Sequence, residues 1–207
     1  MKAFFVKNRR LILLAVPFIL YIIYSISINS IAYDTVFKST ITSLDSYIPF
    51  VDFMVYGYVT WIILASASLL FLFSCLGDGY YRLIIALSIS VVLCIITYLS
   101  FPVKMEIPDF GSSSFLNSLL PKQGIASFPN MPSAILFNSF FFILLNRKKH
   151  DHSKCMIAVI AIGIILILWV VCALFSKTVY ILDLSFGILT GIISSLIASF
   201  IPSRSSH

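Results

Sequence analysis

Six apolar runs, most of them close to the length of a bilayer-spanning helix, leave this chain little freedom in how it can fold. They fall near residues 11–31, 53–75, 83–103, 132–146, 155–175 and 180–201. A helix needs about 20 apolar residues to cross a hydrocarbon core of about 30 Å. Inside that core every backbone polar group must find its partner within the protein, which favours helices. The fourth run is short, roughly 22 Å at 1.5 Å per residue, and is expected to continue toward Lys149, whose long stem can reach the interface. Little polar material lies between the runs. Of 207 residues, 60% are hydrophobic and 11% charged, whereas a soluble domain carries about a quarter charged. The expected fold is all-α: one integral membrane domain over residues 1–207, a polytopic six-transmembrane-helix bundle.

The placement of lysine and arginine gives the orientation. The N-terminal arm holds Lys2, Lys7, Arg9 and Arg10, and the turn between the second and third runs holds Arg82. The loop between the fourth and fifth runs holds Arg147, Lys148, Lys149 and Lys154, and the tail holds Arg204. With both ends inside, an N-in/C-in arrangement, these ten of the fourteen basic residues are cytoplasmic. Lys38, Lys104, Lys122 and Lys177 fall outside, with Asp34, Asp45, Asp52, Glu106, Asp109 and Asp183. The net charge of +6 thus follows membrane topology, and nucleic acid is not an expected partner. Ser30-Ile31-Ala32 has small-x-small form, but the run before it exceeds a signal-peptide core of about 7–15 residues. An uncleaved first helix is expected. Cys75, Cys94, Cys155 and Cys172 are scattered without metal-ligand spacing and read as small apolar helix residues.

Two outer loops, 32–52 and 104–131, are longer than a simple connection needs, so a site is sought on that face. Within the second, 112–120 reads as a short amphipathic piece with Phe115, Leu116, Leu119 and Leu120 on its apolar side. Gly77-Asp78-Gly79 is turn chemistry on the inner side. Asp183 stands near the outer end of the last run, where an ionisable group is costly and points to function or to hydration at the interface. Asp183, Gly187 and Gly191 recur at i, i+4 and i+8, with Ser194 and Ser195 close to that face. The glycines form a GxxxG pattern that lets another helix approach closely. Asn130 is a natural N-cap for the fourth run, with Pro132 in the first turn. That helix start could favour an anion or be simply well capped. Lys104, Lys122 and Lys177 could hold a phosphate group or be merely solvated.

Several strings resemble a known family. Phe128-Pro129 followed by Ser133-Ala134 opens the fourth run, and Ser176 to Asp183 (SKTVYILD) opens the sixth. Together with Leu44-Asp45 and Ile48-Pro49-Phe50, they resemble the type 2 phosphatidic acid phosphatase superfamily, in its inositolphosphorylceramide-synthase-like branch. The likeness of layout covers most of the chain and is specific over about twenty residues. The resemblance implies a histidine nucleophile oriented by an aspartate, with a second histidine as general acid. Asp183 matches the aspartate and Lys177 the preceding lysine. Val179 occupies the nucleophile position, Pro132 the acid position and Asn130 the phosphate-binding serine position. Valine and proline cannot do this work. His150, His152 and His207 all fall on the cytoplasmic side of the expected topology, a bilayer core of about 30 Å away.

The resulting expectation is a divergent member of this superfamily without histidine-dependent phosphatase activity. It would bind or handle a phosphorylated lipid at the outer face through Lys104, Asn130 and Lys177. Alternatives are a lipid phosphatase or phosphotransferase with altered residues, Asp183 acting as base, and a small transporter or partner subunit unrelated to phosphatases. No cofactor or metal is expected, since the chain lacks a nucleotide-binding loop, HExxH or a ligand cluster. Partners would be membrane lipid and a membrane protein or a second copy. The expected location is a bacterial inner (plasma) membrane.

Overall fold

The computed structural model of the chain describes residues 9–30, 38–75, 79–105, 125–126, 128–146 and 152–201. The protein is mostly helical. The elements are α1 (Arg9–Ser30), α2 (Ser43–Tyr47), α3 (Met54–Val59), α4 (Trp61–Cys75), α5 (Tyr80–Ser100), β1 (Lys104–Met105), β2 (Ile125–Ala126), α6 (Met131–Asn146), α7 (His152–Phe175) and α8 (Ile181–Ser199). Helix covers each of the six apolar runs. Among the described residues, α5 and α8 are each long and apolar enough to cross a membrane. The stretch 112–120, the turn residues Gly77 and Asp78, and Lys122, Lys149, His150 and His207 lie outside the described residues.

Two details depart from a purely helical reading. The second run is divided at Thr60, whose hydroxyl donates to the Gly57 carbonyl at 2.6 Å and competes with the helical ladder. A two-residue antiparallel ladder also forms, pairing Lys104 with Ala126 and Met105 with Ile125. It ties the chain leaving α5 to the chain approaching α6, and Lys38 bridges to Val103 beside it.

The burial pattern sorts residues by face. Isoleucines and leucines point outward: Ile157, Ile160, Ile164, Ile167 and Leu168 on α7, and Ile19, Ile22, Ile23 and Ile26 on α1. Spacings of three and four place each set on one helix face. Polar side chains are inside, with Ser90, Ser133, Asn138, Asp183, Ser194 and Ser195 all fully buried. Water would favour the reverse arrangement.

Two knots of aromatic and aliphatic packing hold the helices. Trp169 on α7 stacks on Tyr58 at 5.9 Å and donates its indole N–H to the Tyr58 carbonyl at 3.1 Å. A smaller cluster joins Tyr24, Val91, Cys94, Met131 and Ala134 across α1, α5 and α6.

The tightest contact is between α6 and α8. A side-chain carbon added at Gly187 would lie 2.4 Å from the Asn130 carbonyl oxygen, and one at Gly191 would lie 2.8 Å from that of Ala134. Asn130, Ala134, Asn138, Phe142 and Asn146 recur every fourth residue on α6 and its cap, facing Asp183, Gly187, Gly191, Ser195 and Ser199 on α8. Small residues at this spacing let two backbones touch. Asn138 adds α5 to the joint, donating to the Ala86 carbonyl at 3.0 Å and the Ser90 hydroxyl at 2.7 Å.

Candidate functional site

The starts of α6 and α8 meet at one end of the bundle. The Asn130 amide donates to the Asp183 carbonyl at 3.0 Å. Asn130 Oδ1 accepts from the Ser133 amide at 3.0 Å, the bond of an N-cap residue. The Ser133 hydroxyl in turn donates to the Asn130 carbonyl at 2.7 Å. Phe101, Phe128 and Phe186 pack over the same end, Phe128 lying 5.6 Å from Phe101 and 4.8 Å from Phe186. The Phe128–Pro129 peptide is cis.

The residues singled out from the sequence take the following places. Asp183, in the first turn of α8, is 0% exposed. Val179, two residues before that helix, is 1% exposed, and Asn130 is 2% exposed. Pro132 is the second residue of α6 and is half-buried. Lys104 is half-buried in β1, three residues past Phe101. Asn130 and Asp183 are in direct contact through their backbones. Lys177 turns its ammonium toward the α2 segment, donating to the Asp45 carbonyl. His152 opens α7, in a different part of the chain from either helix start.

Asp45 is the residue that the sequence pattern did not single out as part of a site. Its Oδ2 accepts from the Thr42 amide at 2.8 Å and the Thr42 hydroxyl at 2.6 Å. Its Oδ1 accepts from the Ile181 amide, at the first residue of α8, at 3.0 Å. A carboxylate 136 residues distant in sequence therefore caps α8 from outside, where helix amides and the positive dipole end favour negative charge. Burial acts to raise its pKa, but the Thr42 and Ile181 bonds and the charge of Lys177 outweigh it, holding the carboxyl below its ordinary range. Thr42-Ser43-Leu44-Asp45 fits the capping pattern of threonine followed three residues later by an acid, which was the available signal.

Lys177 completes this clasp. Its φ of 53° lies in the left-handed region, which costs a residue with a Cβ about 1–2 kcal/mol. The turn 176–180 is therefore held by its contacts: the ammonium on Asp45, and the Ser176 hydroxyl on the Ala173 carbonyl at 3.0 Å. On the α7 side, the Val51 amide donates to the Phe175 carbonyl at 2.8 Å.

Chemically, the meeting point of α6 and α8 offers one enclosed carboxylate, one capping amide and a lysine already engaged. Val179 and Pro132 supply neither a nucleophile nor a proton carrier. Among the described residues, no group of three or more histidine, cysteine or acidic side chains is placed to hold a metal ion. Comparison with protein families, with curated proteins and with solved structures gave no match for this chain.

Proposed function

We propose that the chain is a multi-pass membrane protein that keeps the helix arrangement of a type 2 phosphatidic acid phosphatase without its chemistry. In this reading six helices span a bacterial inner membrane with both chain ends inside. The outer end, where α6 and α8 begin, handles a phosphorylated lipid. Outward isoleucines over inward serine, asparagine and aspartate support the membrane reading, because that arrangement suits lipid as solvent.

One observation carries the functional reading. Two helix starts meet around a fully enclosed Asp183, and the positions that the resemblance assigns to imidazoles hold Val179 and Pro132. A phosphotransferase using Asp183 as base is the weaker alternative, since a substrate hydroxyl must come within about 3 Å of the base and Asp183 has no exposed surface. The cations at this end are Lys104, half-buried in the ladder, and Lys177, which would leave the Asp45 carbonyl to meet a headgroup phosphate.

The test is lipid retention. Detergent-purified protein is exposed to phosphatidic acid or to diacylglycerol, and bound lipid is read by native mass spectrometry. The expected result is retention of phosphatidic acid over diacylglycerol, reduced several-fold in Lys104→Gln with Lys177→Gln. Equal retention of the two lipids, or no effect of the double variant, refutes outer-face phosphate handling.

A further inference from the structure

The other end of the α5–α6–α8 seam carries a buried charge that the outer-end reading leaves unexplained. Arg82, Ala86 and Ser90 recur at i, i+4 and i+8 and so share one face of α5. All three are buried, Arg82 with 4% of its surface exposed. The bonds from Asn138 to the Ala86 carbonyl and the Ser90 hydroxyl fix that face against α6. Arg82 stands one turn further on, about 6 Å along the axis, toward the end of the bundle where α6 and α8 close, since Phe101 at the far end of α5 packs at their starts. There Asn146 Nδ2 donates to the Phe142 carbonyl at 2.9 Å and the Ser199 hydroxyl at 3.2 Å.

The Arg82 Nε is fully buried and has no hydrogen-bond partner among the described residues. The described carboxylates, Asp45, Asp52 and Asp183, all belong to the opposite end of the bundle. A guanidinium does not lose its proton, so burial cannot be relieved by neutralisation. A buried charge left uncompensated costs several kcal/mol. A second feature points the same way. Arg82 lies in the first turn of α5, whose cap residue Gly79 offers no side-chain bond to the helix amides, and that turn holds no acid.

We propose that Arg82 and the opening amides of α5 form an anion site for a phosphate group at the inner end of the bundle. The planar guanidinium matches phosphate bidentately, and helix amides complete the acceptor oxygens. The same chemistry admits an anionic lipid headgroup or free phosphate. The site is distinct from the outer end and does not depend on how that end works.

Purified full-length protein in a phosphate-free maltoside detergent is titrated with phosphatidylglycerol and, separately, with inorganic phosphate. Thermal melting and native mass spectrometry are the readouts. The wild type is expected to melt higher with phosphatidylglycerol and to retain it, Arg82→Gln to lose the shift with retention down at least tenfold. Arg82→Lys keeps the charge without the fork and is expected to fall between them, which preserves the test if the glutamine variant does not fold. A shift with inorganic phosphate as well assigns the site to the free anion; a shift with lipid alone assigns it to a headgroup. The proposal is overturned if Arg82→Gln responds as the wild type does. It is equally overturned if neither ligand shifts the melting of the wild type. The outer-end variants probe different residues, so failure of either reading leaves the other standing.

Discussion

Replacing Gly187 by alanine is expected to destabilise the protein even though the same change stabilises most helices. In an open helix the substitution gains about 1 kcal/mol from propensity. Here the added carbon would lie 1.9 Å from the Ser133 hydroxyl and 2.4 Å from the Asn130 carbonyl. The hydroxyl could swing aside, but the carbonyl is backbone and already accepts the Ser133 hydroxyl and the Ala134 amide. Restoring an ordinary contact requires α8 to retreat by roughly 1 Å, a gap that forfeits a quarter to a half of the dispersion energy along the contact. The same movement stretches the Asn130–Asp183 bond beyond its present 3.0 Å. Overpacking of this kind costs about 1–3 kcal/mol, and the lost hydrogen bond about 1 more. After the propensity gain, a net loss of about 2 kcal/mol remains, or a fall in Tm of roughly 4–8 °C for a chain of this size. Melting followed by tryptophan fluorescence in detergent, from Trp61 and Trp169 together, reads this directly. An unchanged or raised melting temperature for Gly187→Ala would show that α6 and α8 do not touch at this point.

Two further substitutions probe the clasp and the seam. Asp45→Ala removes the acceptor of three hydrogen bonds, one of them capping α8; a loss of about 2–3 kcal/mol is expected, with faster hydrogen exchange at the Ile181 amide, and unchanged exchange there would contradict the capping role. Because the Asp45 carboxyl is held below its ordinary range, its contribution is present above the unfolded pKa near 3.8 and is lost as pH falls through the lower folded value; acid melts of the wild type and Asp45→Asn should converge there, and convergence at neutral pH would be inconsistent with that shift. Asn138→Ala removes both bonds to α5 and is expected to cost about 1–2 kcal/mol, seen as a lower melting temperature; a neutral result would mean that α5 is held by apolar packing alone.

The sequence made the helical framework legible because lipid-length apolar runs admit few other structures. The α6–α8 joint was also readable: Asp183, Gly187 and Gly191 at i+4 spacing predicted a close helix approach, and the added-carbon distances at both glycines agree. Asn130 as an N-cap followed from residue type and position, and its bond to the Ser133 amide matches that reading. The clasp was not readable, because the partner that caps α8 comes from Asp45 in a distant loop. Local periodicity carries no information about such a pairing. Arg82 escaped notice for a related reason. In sequence it resembles an interfacial charge that sets topology, and only packing reveals its burial in the three-helix seam.

The proposal that the α6–α8 junction carries out no phosphorus chemistry is tested most directly by phosphate release. Purified protein is incubated with phosphatidic acid in mixed micelles, beside Asp183→Ala and a buffer blank. The expected rate equals the blank for both proteins, since neither Val179 nor Pro132 can attack phosphorus or carry a proton. Sustained release by the wild type that disappears in Asp183→Ala would contradict the account.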